Sequence, residues 1–137
     1  MDNIKNKKVL VIDDEDDIRA YIEALLEDNG MDVISTSNAK DAMRIIESER
    51  PDLITLDVVM PEKSGANLYR ALEQDPNLKD IPVIIITGLQ PDMDAFICNI
   101  SGARKPEGYV SKPFEKETLL SEIQKALAGN LAAAAAR

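Results

Sequence analysis

The run Val9-Leu10-Val11-Ile12 stops at Asp13-Asp14. Four unbroken apolar residues, three of them β-branched, suit a short strand with both faces buried. A strand covered on both sides belongs to a parallel sheet, and that sets what the flanking sequence should look like. Downstream, Ile18, Tyr21, Ile22, Leu25 and Leu26 fall at i, i+3, i+4, i+7 and i+8, one face of a helix. Asn29-Gly30 closes it with a left-handed cap signal. Met31 to Thr36 reads as a second strand. Asn38 can cap a helix that buries Ala39, Ala42, Met43 and Ile46.

The alternation continues to the far end of the chain. Leu53-Ile54-Thr55-Leu56 is a third strand, followed by a Pro61/Gly65 loop and a helix with Leu68, Ala71 and Leu72 inward. Val83-Ile84-Ile85-Ile86 is a fourth strand. A fourth helix opens at Pro91 and carries Met93, Phe96, Ile97 and Ile100 on one side. Gly108 to Ser111 makes a fifth strand. A last helix from Glu115 to Ala128, ended by Gly129-Asn130, turns Leu119, Leu120, Ile123 and Leu127 inward. Five βα units in a row predict an α/β fold, a doubly wound parallel sheet.

Composition narrows the chemistry. The 137 residues suffice for one domain at about 100–200 residues per domain. Sixteen Lys and Arg against twenty-five Asp and Glu give a net charge of −9, which argues against a nucleic-acid surface. Aromatics are 4% and Trp is absent, so base-stacking platforms are not expected. There is no His and one Cys, Cys98, which excludes His-based nucleophile systems, His-ligated zinc and internal disulfides. No run approaches the ~18 apolar residues of a membrane span, and Met1 to Lys8 lacks the apolar core of a signal peptide. The expected compartment is the cytoplasm.

Four apolar runs end on polar residues: the first on Asp13-Asp14, the third on Asp57, the fourth on Thr87, the fifth on Lys112. Parallel strands all point one way, so these ends share one edge, where open α/β sheets bind ligands. With the third strand between the first and the fourth, Asp57 lies ~4.8 Å of sheet spacing from each neighbour, and the fifth strand is ~10 Å away. A lysine can span that distance. Taken singly, each residue has an ordinary explanation: Asp13 or Asp14 as a helix cap, Thr87 as a turn residue, Lys112 as a solvated charge, Tyr109 as a half-buried strand residue. Together they form a pocket. Clustered carboxylates without His or Cys suit Mg²⁺, with Mn²⁺ as the alternative. Such a pocket suits phosphoryl transfer, with Asp57 central enough to act as nucleophile.

Val9 to Glu15, Asp52 to Asp57 with Met60-Pro61 and Gly65, Val83 to Gly88, and Tyr109 to Phe114 resemble the receiver domains of two-component response regulators, the CheY-like family. The resemblance covers about residues 7–128. It implies a flavodoxin-like (βα)5 sheet of order 2-1-3-4-5, an order known for this family. The receiver domain is accordingly assigned to residues 1–129, and the Ala-rich residues 130–137 to an expression remnant or a linker stub.

The resemblance also implies roles. Asp57 takes a phosphoryl group from a sensor histidine kinase or a phosphotransfer protein. Asp14 and Asp57 ligate Mg²⁺ directly, Asp13 through water, and Val59 through its backbone carbonyl. Lys112 and Thr87 contact the phosphoryl oxygens, and Tyr109 moves with Thr87 to remodel the surface of the fourth helix, fifth strand and fifth helix. Lys112-Pro113 is expected to be cis. The partner downstream is a protein rather than nucleic acid or membrane, met by a monomer or a phosphorylation-dependent dimer. Val59 and Leu89 offer no polar atom to hold a hydrolytic water, so the phosphoryl form should be long-lived. Two departures stand out: a fourth helix that reads short, and the insert Arg104 to Gly108 before the fifth strand. The competing reading is an aspartyl-phosphate-forming phosphohydrolase. Haloacid-dehalogenase-type enzymes place a second Asp two residues after the nucleophile, where this chain has Val59.

Overall fold

The chain is described from a computed structural model over residues 5–57, 64–88 and 108–135, with backbone alone at residues 64–66, 87, 109 and 129–135. Strands β1 (Lys8–Ile12), β2 (Asp32–Thr36), β3 (Leu53–Leu56), β4 (Val83–Thr87) and β5 (Gly108–Ser111) alternate with helices α1 (Asp16–Asp28), α2 (Ala39–Glu49) and α3 (Ser64–Gln74). A last helix spans Lys116–Ala135. The strands pair in the order β2-β1-β3-β4-β5, every pairing parallel.

The unbroken apolar runs are explained by the two layers they separate. Successive strand residues face opposite ways. Leu10, Ile12, Ile54, Leu56, Val83 and Ile85 pack against Ala42 and Ile46 of α2 and Leu68, Tyr69 and Leu72 of α3. Val9, Val11, Leu53, Ile84, Ile86 and Val110 pack against Ile22 and Leu26 of α1 and Leu119, Ile123, Ala126 and Leu127 of the last helix. β1 lies inside the sheet between β2 and β3, and its four apolar residues are at most 1% exposed.

Local signals set most ends. Asn38 Oδ1 accepts a hydrogen bond from the Asp41 amide at 2.8 Å and starts α2. Gly30 follows α1 at φ +85°, a left-handed conformation that costs glycine little. The end of α2 carried no such signal: Arg50 takes the left-handed position at φ 48°, and its amide bonds to Ile46 O at 3.0 Å.

Three expectations need correction. Helical periodicity sets Tyr21 on the buried face of α1, yet it is 48% exposed, its ring edge-on to Phe114 with centroids 5.9 Å apart. Tyr69, unassigned in the sequence pattern, is fully buried in α3. The last helix does not stop at Ala128 but runs through Gly129-Asn130 to Ala135. The alanines beyond have the highest helix propensity, which offsets one glycine at about 1 kcal/mol. The expected fourth helix, Cys98, Val59, Leu89 and residues 104–107 of the insert lie outside the described residues.

Candidate functional site

The site is built on backbone first. The Asp57 amide donates to Ile12 O at 3.0 Å, which sets the residue after β3 beside the residue after β1. The Asp13 amide donates to Thr36 O at 3.3 Å, tying the same corner to β2. Asp13 and Asp57 are the two buried acids among the described residues, 2% and 3% exposed. Asp14, next in sequence, faces solvent.

Lys112 reaches in from the end of β5, two strands away. Its Nζ lies 2.8 Å from Asp13 Oδ2, 2.8 Å from Glu15 Oε1 and 3.0 Å from Asp57 Oδ2. The Lys112 side chain is 13% exposed. The expected reach from two strands away is thus met, and Lys112-Pro113 is cis as the resemblance implied. Burial pushes the Lys112 ammonium toward neutrality, but hydrogen bonds to Asp13, Glu15 and Asp57 outweigh it and hold its pKa above the ordinary lysine value. Burial raises the Asp13 carboxyl above its ordinary value, against the opposing hydrogen bonds from Lys112 and the Glu15 amide.

One carboxylate oxygen from each of Asp13, Asp14, Glu15 and Asp57 can be chosen so that all four lie within 4.8 Å of one another. Four carboxylates facing one ammonium leave a surplus of negative charge that a divalent cation would neutralise. All-oxygen donors fit Mg²⁺ or Mn²⁺. The structure therefore brings together Asp13, Asp14, Asp57 and Lys112. Thr87 and Tyr109 are placed by backbone only: Thr87 closes β4 opposite Ser111, and Tyr109 stands opposite Ile85. Val59, the remaining expected ligand, is outside the described residues.

Glu15 was missed as a site residue. It occupies the N-cap of α1 with extended backbone, φ −88° and ψ 114°, yet its side chain makes no cap hydrogen bond. Glutamate is not a favoured cap residue, and that mismatch was the available signal.

Comparison with known proteins matches residues 9–124 to the family model for the response regulator receiver domain. The protein PilH of Pseudomonas aeruginosa is 34% identical over 122 residues, 89% of this chain and 98% of PilH. The alkaline phosphatase synthesis transcriptional regulatory protein PhoP of Bacillus subtilis is 33% identical over 89% of this chain but only 49% of its own length. The chain thus spans nearly all of one relative and about half of the other. Among solved structures, the chemotaxis response regulator CheY4 of Vibrio cholerae superimposes with a TM-score of 0.77 at 29% identity, covering 89% of this chain and 99% of CheY4.

Proposed function

Because this chain belongs to the response regulator receiver family, we propose that Asp57 is its phosphoacceptor, charged by a sensor histidine kinase or a phosphotransfer protein. The family is one of signalling modules that partner with histidine kinases rather than of catalytic enzymes, which leaves the phosphohydrolase alternative without support. The observation that carries the proposal is the buried Asp57 carboxylate at the end of β3, with Lys112 Nζ 3.0 Å away and three further carboxylates around it.

In the proposed reaction an Asp57 carboxylate oxygen attacks phosphorus as the phosphorus–nitrogen bond of a phosphohistidine breaks, and the imidazole nitrogen keeps that electron pair. Lys112 neutralises charge on the phosphoryl oxygens and moves no proton. Asp13, Asp14 and Asp57 would hold Mg²⁺, with the Val59 carbonyl. That ion would supply charge neutralisation and orientation of the phosphoryl group.

Thr87 and Tyr109 are the proposed switch residues, reading the phosphoryl group out to the surface of the fourth helix, β5 and the last helix. Monomer or phosphorylation-dependent dimer, the partner met there is proposed to be a protein in the cytoplasm. Val59 without a polar atom supports slow dephosphorylation.

The test is mass spectrometry after treatment with Mg²⁺ and a small phosphodonor such as phosphoramidate. One phosphoryl group is expected on the wild type and none on Asp57→Asn. Stoichiometric labelling of that variant elsewhere would overturn the assignment. With beryllofluoride as the phosphoryl mimic, NMR shifts should change at Tyr109 and its neighbours, and unchanged shifts there would remove the switch.

A further inference from the structure

We propose that Glu15 is a positioning residue: it holds the Lys112 ammonium back over the unphosphorylated Asp57 carboxylate and is the partner given up when phosphoryl arrives. This rests on Asp57 being the phosphoacceptor. A lysine ammonium has three N–H donors and no acceptor. All three have carboxylate oxygens in reach, on Asp13, Glu15 and Asp57, at 2.8, 2.8 and 3.0 Å. Lys112 is therefore fully committed before the reaction. To meet a phosphoryl group built outward from Asp57, it must shift and release a partner.

The three partners are not equal. The Asp13 side chain is 2% exposed, and its other oxygen, Oδ1, accepts the Glu15 amide at 2.9 Å, so it cannot follow an outward shift. Asp57 is the reacting group. The Glu15 side chain is 58% exposed, so water replaces Lys112 there at the least cost. Glu15 also forgoes a local alternative: it stands at the N-cap of α1, where a shorter acid would bond the helix amides. A glutamate reaches Lys112 instead.

That geometry separates a specific hold from mere charge. Glu15→Gln removes the charge. Glu15→Asp keeps it, but its carboxylate is one methylene short of Lys112 and is drawn to the first-turn amides of α1. The experiment measures Asp57 phosphorylation by phosphoramidate at saturating Mg²⁺, together with the ¹⁵N shift of the Lys112 ammonium in metal-free protein, a readout independent of reaction. Both variants should phosphorylate about two- to fivefold faster than wild type, the range an exposed ion pair spans. Both should move the Lys112 resonance in the same direction. A faster Glu15→Gln with an unchanged Glu15→Asp would mean that only net charge matters, and would overturn the proposal. So would equal or slower rates in both variants. If the wild type gains no phosphoryl group on Asp57, the function proposed above and this inference fall together. A labelled wild type with indifferent variants overturns this inference alone.

Discussion

At Lys112, the hydrogen bonds that raise the ammonium's pKa above the ordinary lysine value of 10.5 make alkaline stability a readout of the pocket. A group whose pKa is raised on folding stabilises the folded state fully below its unfolded value. That stability is lost as pH rises through the higher folded-state value. Asp13 has the same sign, at the acid end of the scale. Its carboxyl is also raised, from 3.8, and for an acid this means stability falls as pH rises through its folded-state pKa. In chelator, Lys112→Met should therefore lower stability by about 3 kcal/mol near neutrality, because it strands buried carboxylates. The gap to wild type should hold up to pH 10.5, narrow only beyond it, and shrink on the acid side as Asp13 protonates. Thermal midpoints across pH check this, and a gap already closed at pH 9 would contradict it. Thr55 offers a second test. Its Oγ1 is buried in β3 with no hydrogen-bond partner among the described residues, between Val11 and Ile84 in register. Thr55→Val should stabilise by about 1 kcal/mol in urea unfolding, since it removes a desolvated hydroxyl. A loss of stability would show that the hydroxyl is satisfied.

Elements obey the sequence where a side chain bonds its own helix and depart from it where a distant contact wins. Asn38 is the first kind: Asn38→Ala should destabilise by about 1 kcal/mol through loss of the bond to the Asp41 amide. Circular dichroism during thermal unfolding would register it, and an unchanged midpoint would mean another group takes over the amide. Glu15 is the second kind, a cap position whose side chain serves β5 across the pocket rather than α1. Arg50 is a third case. A left-handed end at a non-glycine residue is set by the need to turn into Pro51 and β3, and its guanidinium reaches Asn77 O at 3.2 Å. No local pattern announces such a contact.

For the whole molecule, the pocket exists because three strands deliver their last residues to one edge. Metal binding should then be linked to folding. Mg²⁺ that binds the folded chain alone should add about 2.7 kcal/mol at one hundred times its dissociation constant. Thermal midpoints with and without Mg²⁺ measure this. Asp14, like Glu15, is an exposed acid of the cluster, so Asp14→Ala should fold and lose most of the shift. An equal shift in that variant would place the metal elsewhere.

The alternation of β-branched runs with helical periodicity determined the α/β class, because a strand buried on both faces leaves a continuous apolar run that no other element needs. It also determined which edge carries the chemistry, since all parallel strands end the same way. The order β2-β1-β3-β4-β5 came with the family resemblance rather than from periodicity, which is blind to which strands are neighbours. Tertiary structure alone decided that Tyr21 sits at the rim against Phe114 and that the last helix outruns its glycine. It alone decided that Glu15 shares Lys112 with Asp13 and Asp57. Glu15 and Lys112 are 97 residues apart in the chain, and their contact depends on where the sheet sets two strand ends.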